Sequence, residues 1–336
     1  MRGYSHMNDV IDFVITWVDD TDPVWLAERE KYCGVPAESG DCRYRDWGLL
    51  RFWFRGVEIF APWVNRIHFV TCGHLPEWLN TDHPKINILK HADYIPEKYL
   101  PTFNSHTIEL NLHRIPGLAE QFVYYNDDTF LLNTVAPKDF FKNGLPKETC
   151  GLDVLRFDSR SIAFIDANNI ALINDVFDKK LFLKQNFRKI FTPVVGRKKF
   201  IKNLMLAPFP FFTGFYNHHI SSSFLRKTFE TAWKLFPEQL DATCRCRVRE
   251  RTNVNQWLIK DLQFVNGWFE NRDLVFGANI NISQNNLELC CNRIIEQKLK
   301  MLCVNDNELL EGFEVIKECV KAAFESVLPE KSTYER

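Results

Sequence analysis

Residues 12–23 read DFVITWVDDTDP, a near-continuous apolar run followed at once by an acidic turn. Three more short β-rich runs lie in the first half of the chain, at 66–71, 85–89 and 122–125. Apolar runs without polar alternation are typical of parallel strands that helices cover on both faces. Polar residues follow three of the four runs, and in such sheets ligands bind beyond the carboxyl ends of the strands. The chain is therefore predicted to form an α/β fold whose polar clusters share one rim of a sheet.

The composition is that of an ordinary globular protein, with 336 residues, 42 Lys and Arg, 43 Asp and Glu, and a net charge of -1. This balance gives no general attraction for nucleic acid, and the length predicts one large domain or two intimate ones. No run reaches the roughly 18–20 apolar residues of a membrane span, and no signal peptide is evident, which predicts a soluble cytoplasmic protein. The ten cysteines include no Cys-x-x-Cys pair and are expected to be reduced thiols, and residues 1–6 resemble an expression tag.

Two amphipathic helices are predicted from apolar residues at three- and four-residue spacing. One extends from Leu49 to Phe60, ahead of Pro62, and the other from Leu309 to Val327, ahead of Pro329. The polar residues 305–307 are predicted to cap the second helix at its electropositive N-terminal end.

The strongest local charge asymmetry lies between residues 179 and 202, where nine basic residues occur without an acid. An aromatic stretch containing Pro208, Pro210 and Gly214 follows. One interpretation is a solvated surface hairpin or an inserted lobe. The other is a binding site for an anionic glycan or a membrane surface.

Two acidic clusters follow predicted strands. Asn126, Asp127 and Asp128 offer adjacent carboxylates of the kind that bind Mg²⁺ together with a substrate phosphate, although a simple turn also explains them. In the other cluster, Trp17 could stack on a nucleotide base while Asp19 and Asp22 accept hydrogen bonds from its ribose. The alternative for Asp22 is the N-cap of a helix that begins at Pro23.

Basic and histidine side chains provide candidates for phosphate binding. His113 and Arg114 either contact a phosphate or act as a helix cap or as members of an ion pair. His219 has either a structural or a functional role. Arginines alternate from Arg245 to Arg251, which in a strand places them on one face, where they would form a bidentate phosphate clamp. No glycine-rich phosphate loop is present, which argues against kinases, GTPases and dehydrogenases.

The candidate segments together resemble the Stealth family, which comprises bacterial capsule sugar-1-phosphate transferases and the catalytic core of the animal lysosomal-enzyme N-acetylglucosamine-1-phosphotransferase. The resemblance follows the order of the family's conserved regions and spans nearly the whole chain. The matching segments are 12–23, 51–58, 62–71, 76–80, 91, 103–105, 108–109, 113–118, 126–128, 219, 236–238, 247–249 and 303–307.

The resemblance implies a Rossmann-like, glycosyltransferase-A-like mixed sheet covered by helices. It implies transfer of a sugar-1-phosphate from a UDP-sugar, for example UDP-N-acetylglucosamine, to a glycan hydroxyl, with release of UMP, in capsule or surface polysaccharide synthesis. The single catalytic domain, 8–330, would comprise a nucleotide-sugar-binding half (8–150), a basic and aromatic insertion (151–210) and a second catalytic half (211–330). Its expected location is the cytoplasm or, through peripheral association, the inner face of the bacterial membrane.

Position by position, the resemblance assigns the essential roles to Asp127, His219, Arg249 and Asp306. Mg²⁺ or Mn²⁺ is expected at Asp127 and Asp306, and either His219 or Asp306 would be the general base. The expected substrate-binding residues are Trp17, Asp19, Asp22, Arg55, Asn104, Ser105, His113, Arg114, Asn126, Asp128 and Arg247.

Two other functions are alternatives to sugar-1-phosphate transfer. An ordinary metal-dependent glycosyltransferase would release UDP, and a non-catalytic carbohydrate-binding protein would use the nine tryptophans to stack on sugars without a metal. The sequence departs from the family pattern at Asp20, Leu49, 52–53 and His74, near the expected donor pocket. These departures leave open which sugar and which nucleotide base the donor carries.

Overall fold

The computed structural model of the chain describes residues 10–34, 44–157, 163–306 and 310–336, and all four predicted apolar runs are strands. The strands are β1 (Ile11–Thr16), β2 (Ile67–Thr71), β3 (Ile86–Lys90), β4 (Gln121–Tyr125), β5 (Thr129–Leu131), β6 (Phe141–Lys142), β7 (Leu145–Glu148), β8 (Ser222–Leu225), β9 (Glu270–Asn271), β10 (Gly277–Asn281) and β11 (Met301–Asn305). The helices are α1 (Pro23–Cys33), α2 (Leu50–Phe60), α3 (Ser105–Leu110), α4 (Pro137–Phe140), α5 (Ala163–Val176), α6 (Lys179–Gln185), α7 (Phe187–Ile190), α8 (Arg197–Leu206), α9 (Arg226–Leu235), α10 (Pro237–Arg245), α11 (Gln256–Val265), α12 (Leu287–Glu296) and α13 (Phe313–Val327).

The central sheet has the strand order β3-β2-β1-β4-β8. Its first four strands are parallel and β8 is antiparallel, so the sheet is mixed and its parallel part has the Rossmann-like order 3-2-1-4. Successive residues of a strand point to opposite faces, and here Phe13 and Ile15 join one buried core while Val14 joins the other. The expectation of an α/β sheet covered on both faces is confirmed.

A second sheet, of order β10-β11-β5, adjoins the rim of the central sheet. Residues 126–128 connect β4 of the central sheet to β5 of the second, and β5 pairs antiparallel with β11. The acidic turn therefore lies at the junction of two sheets. A third small sheet has the order β6-β7-β9.

Helix α2 covers the first core face as its pattern predicts, since Phe52, Trp53, Phe54 and Val57 are all buried. Gly56 lies on the same buried surface, where an added Cβ would stand 3.2 Å from the carbonyl oxygen of Leu131. The close approach of the helix to β5 therefore favours glycine at this position, since a Cβ would force the strand backbone to shift by a few tenths of an ångström.

Two local predictions are wrong. Helix α13 begins at Phe313 after Gly312, whose φ of +68° is left-handed, whereas Asn305 ends β11; the predicted cap therefore belongs to a strand end, and residues 307–309 lie outside the described residues. The arginines from Arg245 to Arg251 do not form a strand, because α10 ends at Arg245 and an irregular segment follows it.

The basic lobe, here residues 179–211, is helical and not a hairpin. It contains α6, α7 and α8 and the segment that follows α8. Asn203 joins these parts to the rest of the protein: its amide nitrogen donates to the Ile190 carbonyl (2.8 Å) and its side-chain oxygen accepts from the Leu152 N–H (2.8 Å).

Candidate active site

A cavity of about 320 Å³ opens at the rim where β1 and β4 end. Asp127, His219, Arg249 and Asp306 all line it. They come from four distant parts of the chain, so their convergence is a property of the fold. Among the predicted substrate-binding residues, the cavity is also lined by Trp17, Ser105, Asn126 and Asp128.

Strand pairing explains the convergence. The antiparallel pairing of β8 with β4 sets Ser222 opposite Tyr124, so His219, three residues earlier, lies beside the end of β4. The pairing of β11 with β5 sets Cys303 opposite Thr129, and the N–H of Val304 donates to the carbonyl of Asp128 (2.8 Å). Asp306 therefore follows a strand that is hydrogen-bonded to the acidic turn.

Arg249 reaches the cavity from the irregular segment between α10 and α11. The N–H of Phe103 donates to the carbonyl of Arg247 (2.8 Å), which ties this segment to the loop before α3. The Arg249 Nε donates to the Ser105 Oγ (3.0 Å) at the first residue of α3. The guanidinium group is thus held beside a helix N-terminus, where partial positive charge favours anions.

Carboxyl groups are crowded at the acidic turn. The pKa of Asp127 is raised from 3.8 to about 8 by desolvation among the surrounding protein atoms and by the charges of Asp128 and Asp46, with Arg249 opposing the rise. The Asp127 side chain is nevertheless accessible from the cavity. A divalent cation would relieve this repulsion, so the donor set fits Mg²⁺ or Mn²⁺ on the observation of crowded carboxylates.

Asp128, His219 and Cys303 each present one ligand atom, and these atoms lie within 4.8 Å of one another. Burial and the charge of Asp128 raise the pKa of the Cys303 thiol well above its ordinary value. A protonated thiol is a poor ligand for a hard cation, since Mg²⁺ takes oxygen. The two adjacent aspartates are therefore the better candidates for the metal.

The predicted metal role of Asp306 does not agree with its contacts. Arg45 binds both carboxylate oxygens, Nε to Oδ2 at 2.8 Å and Nη2 to Oδ1 at 2.7 Å, and the Trp47 indole N–H donates to Oδ2 at 3.1 Å. The Arg45 guanidinium lies 4.2 Å from the centre of the Phe313 ring. This bidentate pair leaves Asp306 holding the wall of the cavity, and the structure does not place it as an open metal ligand.

Several predicted substrate-binding residues have structural contacts outside the cavity. Asp22 is the N-cap of α1 and accepts from the Trp25 N–H (2.7 Å), so the cap alternative is correct. Asn104 is buried as the N-cap of α3. His113 stacks on Phe229 at 5.7 Å.

Three more predicted substrate-binding residues lie outside the cavity. Asp19 accepts a hydrogen bond from Thr21 in its own turn. Arg114 donates to Asn111, and Arg247 donates to the Pro101 carbonyl.

Arg55 was predicted to bind substrate, and its contacts contradict this prediction. Its guanidinium is buried, binds Glu335 at 2.7 and 2.9 Å, and donates to the carbonyl of Leu328 at 2.8 Å. Arg55 therefore fastens the C-terminal segment to α2 and does not contact substrate in the cavity.

Replacing Arg55 by Ala is expected to lower the free energy of unfolding by about 3 kcal/mol, because it leaves the Glu335 carboxylate buried without its partner. Urea unfolding measures this change. Arg51→Ala is a control on the same helix, since Arg51 is exposed and its guanidinium lies over Trp78 at 5.3 Å; it should cost below about 1 kcal/mol. If Arg55→Ala had normal stability but bound substrate poorly, the predicted substrate-binding role of Arg55 would be correct after all.

Some cavity residues carry no sequence signal of their own. Glu109, on α3, is buried, and desolvation raises its pKa to about 7 although Arg249 opposes the rise. Its motif lies within the family resemblance, but neither its spacing nor its neighbours mark it as a cavity residue. Arg45, Asp46 and Trp257 also line the cavity and follow no strand of the predicted sheet.

Comparison with known proteins identifies the chain. Family models described as Stealth protein conserved region 1 and conserved region 2 match residues 9–33 and 43–148. A capsular polysaccharide phosphotransferase, WcwK, of Streptococcus pneumoniae is 40% identical over 97% of this chain and 98% of its own length. The chain belongs to the Stealth family. An exopolysaccharide phosphotransferase, cps2G, of Lactiplantibacillus plantarum is 36% identical over the full length of both chains.

This Stealth protein is a transferase of the phosphotransferase class. A structure of the galactosyltransferase LgtC with donor and acceptor sugar analogs resembles it distantly, with a TM-score of 0.37 and 10% identity over 92% of this chain and 95% of that one. In the described ranges of the Stealth chain, no helix is both long and apolar enough to cross a lipid bilayer.

Proposed function

We propose that this Stealth protein transfers a sugar-1-phosphate from a UDP-sugar to a glycan hydroxyl and releases UMP, in capsule or surface polysaccharide synthesis. The observation that carries the proposal is the cavity shared by Asp127, His219, Arg249 and Asp306. Carboxylates that hold a cation, an imidazole that accepts a proton and a guanidinium group that binds phosphate can together support transfer of a phosphoryl group between oxygens. The phosphotransferase relatives support the reaction class.

In the proposed reaction an oxygen of the acceptor glycan attacks the phosphorus that bears the sugar. A new P–O bond forms to the acceptor, and the bond from this phosphorus to the oxygen of the uridine monophosphate breaks. The leaving UMP takes the electron pair of the broken bond. His219 accepts the proton of the acceptor hydroxyl, since a neutral imidazole nitrogen can act as a general base.

The remaining cavity residues bind and orient the pyrophosphate. Asp127 and Asp128 would hold Mg²⁺ or Mn²⁺, which neutralises phosphate charge when bound. Arg249, fixed by Ser105, donates to the phosphate oxygens on which charge develops. Trp17 contributes an aromatic wall to the cavity. Asp306 holds Arg45 and Trp47 in position, which favours His219 over Asp306 as the base.

The identity of the released nucleotide tests the proposal. The purified protein is incubated with UDP-N-acetylglucosamine, a capsule oligosaccharide and Mg²⁺, and the products are separated by chromatography. UMP is expected, with its release abolished by EDTA, because the phosphorus and not the sugar carbon is attacked. Release of UDP would instead assign the chain to the ordinary glycosyltransferases, and binding without turnover would favour a carbohydrate-binding protein.

A further inference from the structure

The basic lobe carries positive charge that the fold does not neutralise. From Lys179 to the next acid, Glu230, the sequence contains no Asp or Glu. Some of its basic side chains serve the fold, as when Lys202 pairs with Asp153 at 2.5 Å. Five others are exposed and form no ion pair with any residue that the structure describes: Lys180, Lys184, Arg188, Arg197 and Lys198.

Helix α8 presents an apolar stripe to solvent within this charge. Ile201, Leu204 and Met205 are 47%, 51% and 69% exposed, while Asn203 and Leu206 are buried against the protein. With 3.6 residues per turn, the three exposed apolar positions fall within an arc of about 100° on the outer face. Lys198 and Lys202 flank this arc, and Arg197 lies on the arc itself, one turn before Ile201.

The exposed apolar surface continues beyond α8. The Lys179 ammonium group is buried and donates to the carbonyls of Leu206 (2.7 Å) and Phe209 (3.0 Å), so it joins the start of α6 to the end of α8. Around this junction, further large apolar side chains are between 46% and 60% exposed: Leu181, Phe187, Phe209 and Phe211.

We propose that the basic lobe is a docking surface for an anionic lipid bilayer. Apolar side chains among basic ones match the interfacial region of a membrane, where the apolar groups enter the acyl boundary and the cations meet the headgroups. A soluble polyanionic glycan would satisfy the charges but leave the apolar stripe in water. Exposed apolar groups of this number therefore favour the bilayer.

Docking would fix the orientation of the cavity relative to the bilayer. The lobe is hydrogen-bonded through Asn203 to Leu152, and residues 212–218 lead from it to His219. The Lys199 ammonium group lies over the ring of Tyr216 in that connection. The inference is independent of the proposed reaction, because it depends on surface charge and exposure alone.

Vesicle sedimentation tests the proposal with the full chain. The protein is expected to sediment with vesicles of phosphatidylcholine containing phosphatidylglycerol, and to remain in the supernatant with phosphatidylcholine alone. Binding should weaken as salt rises, because the headgroup attraction is screened. Failure to bind the anionic vesicles at low salt would overturn the proposal.

The charge variant replaces Lys184, Arg188 and Lys198 by Gln. Binding to the anionic vesicles should fall about 100-fold, since three headgroup attractions are lost. The matched control replaces three exposed lysines outside the lobe, Lys138, Lys142 and Lys234, by Gln and should bind as the wild type does. Equal losses in the two variants would indicate attraction by the whole molecule and contradict a docking lobe.

The apolar variant, Ile201→Ser with Met205→Ser, separates a bilayer from a polyanion. Vesicle binding should fall at least about 10-fold, because the acyl boundary no longer receives the stripe. Leu289→Ser with Ile295→Ser is the control, at positions of α12 that are 50% and 51% exposed. Unchanged vesicle binding of the apolar variant, with full competition by soluble polyphosphate, would assign the lobe to a polyanionic glycan. The thermal midpoint verifies that each variant is folded.

Discussion

Asp127→Asn is expected to lower the rate of UMP release by at least about 1,000-fold while raising the thermal midpoint of the metal-free protein. The loss of rate follows if the carboxylate helps to hold the divalent cation, because several kcal/mol of charge stabilisation correspond to this factor. The gain in stability follows because desolvation disfavours the charged Asp127 carboxylate and the charges of Asp128 and Asp46 repel it. Turnover assays and thermal unfolding in EDTA measure the two effects.

The stability gain should depend on pH with a defined sign. The Asp127 pKa is raised from 3.8 to about 8 on folding, so the unfolded chain releases this proton at a lower pH than the folded protein. The wild type therefore loses stability relative to Asp127→Asn as the pH rises from about 4 to about 8, and the difference is constant above that range. Saturating Mg²⁺ should reduce the difference, because the cation stabilises the ionised wild-type site.

Asp82→Asn provides the control, since Asp82 is an exposed aspartate outside the cavity. It should change neither turnover nor the thermal midpoint. Wild-type turnover of Asp127→Asn would remove Asp127 from the metal site. A lower midpoint in EDTA would show that the carboxylate stabilises the apo fold, contrary to the charge crowding described above.

The sequence predicts the central sheet well because its strands carry their signal locally. An apolar run such as 122–125 is long enough to mark a buried strand, and the polar residues after it mark the rim. The same rule predicts that Trp17 and Asp127 lie near each other. His219, Arg249 and Asp306 could be assigned only through the family resemblance, because they reach the rim by long-range pairing of β8 and β11 and through a loop.

Local patterns fail where a side chain's partner is far along the chain. Arg55 carries the same charge whether it binds a phosphate or Glu335, and its spacing within α2 does not distinguish the two. The alternating arginines after α10 suggest a strand, yet Arg247 and Arg249 point to different partners, the Pro101 carbonyl and Ser105. Tertiary contacts decide such cases, so charge pattern alone overestimates the number of ligand-binding residues.

Substitutions at Asp306 and at its partner Arg45 are expected to lower kcat/KM strongly. The coupling between the two substitutions shows whether Asp306 acts by positioning Arg45. If Asp306 acts by positioning Arg45, then Asp306→Asn and Arg45→Ala should each reduce kcat/KM about 100-fold, and the double variant should be no worse than either single variant. Removing either partner breaks the same bidentate contact, so the second substitution has nothing further to remove. Steady-state kinetics on the four proteins measures this coupling.

The Mg²⁺ dependence of the same four proteins distinguishes a positioning role of Asp306 from a role as a metal ligand. A positioning role leaves the Mg²⁺ concentration for half-maximal activity unchanged in Asp306→Asn, because the cation is held by Asp127 and Asp128. A ligand role raises that concentration in Asp306→Asn but not in Arg45→Ala. If Asp306 were instead the general base, Arg45→Ala would be mild and Asp306→Asn alone would be severe. Equal single losses, a non-additive double variant and an unchanged Mg²⁺ requirement thus agree only with a carboxylate whose function is to hold Arg45 at the wall of the cavity.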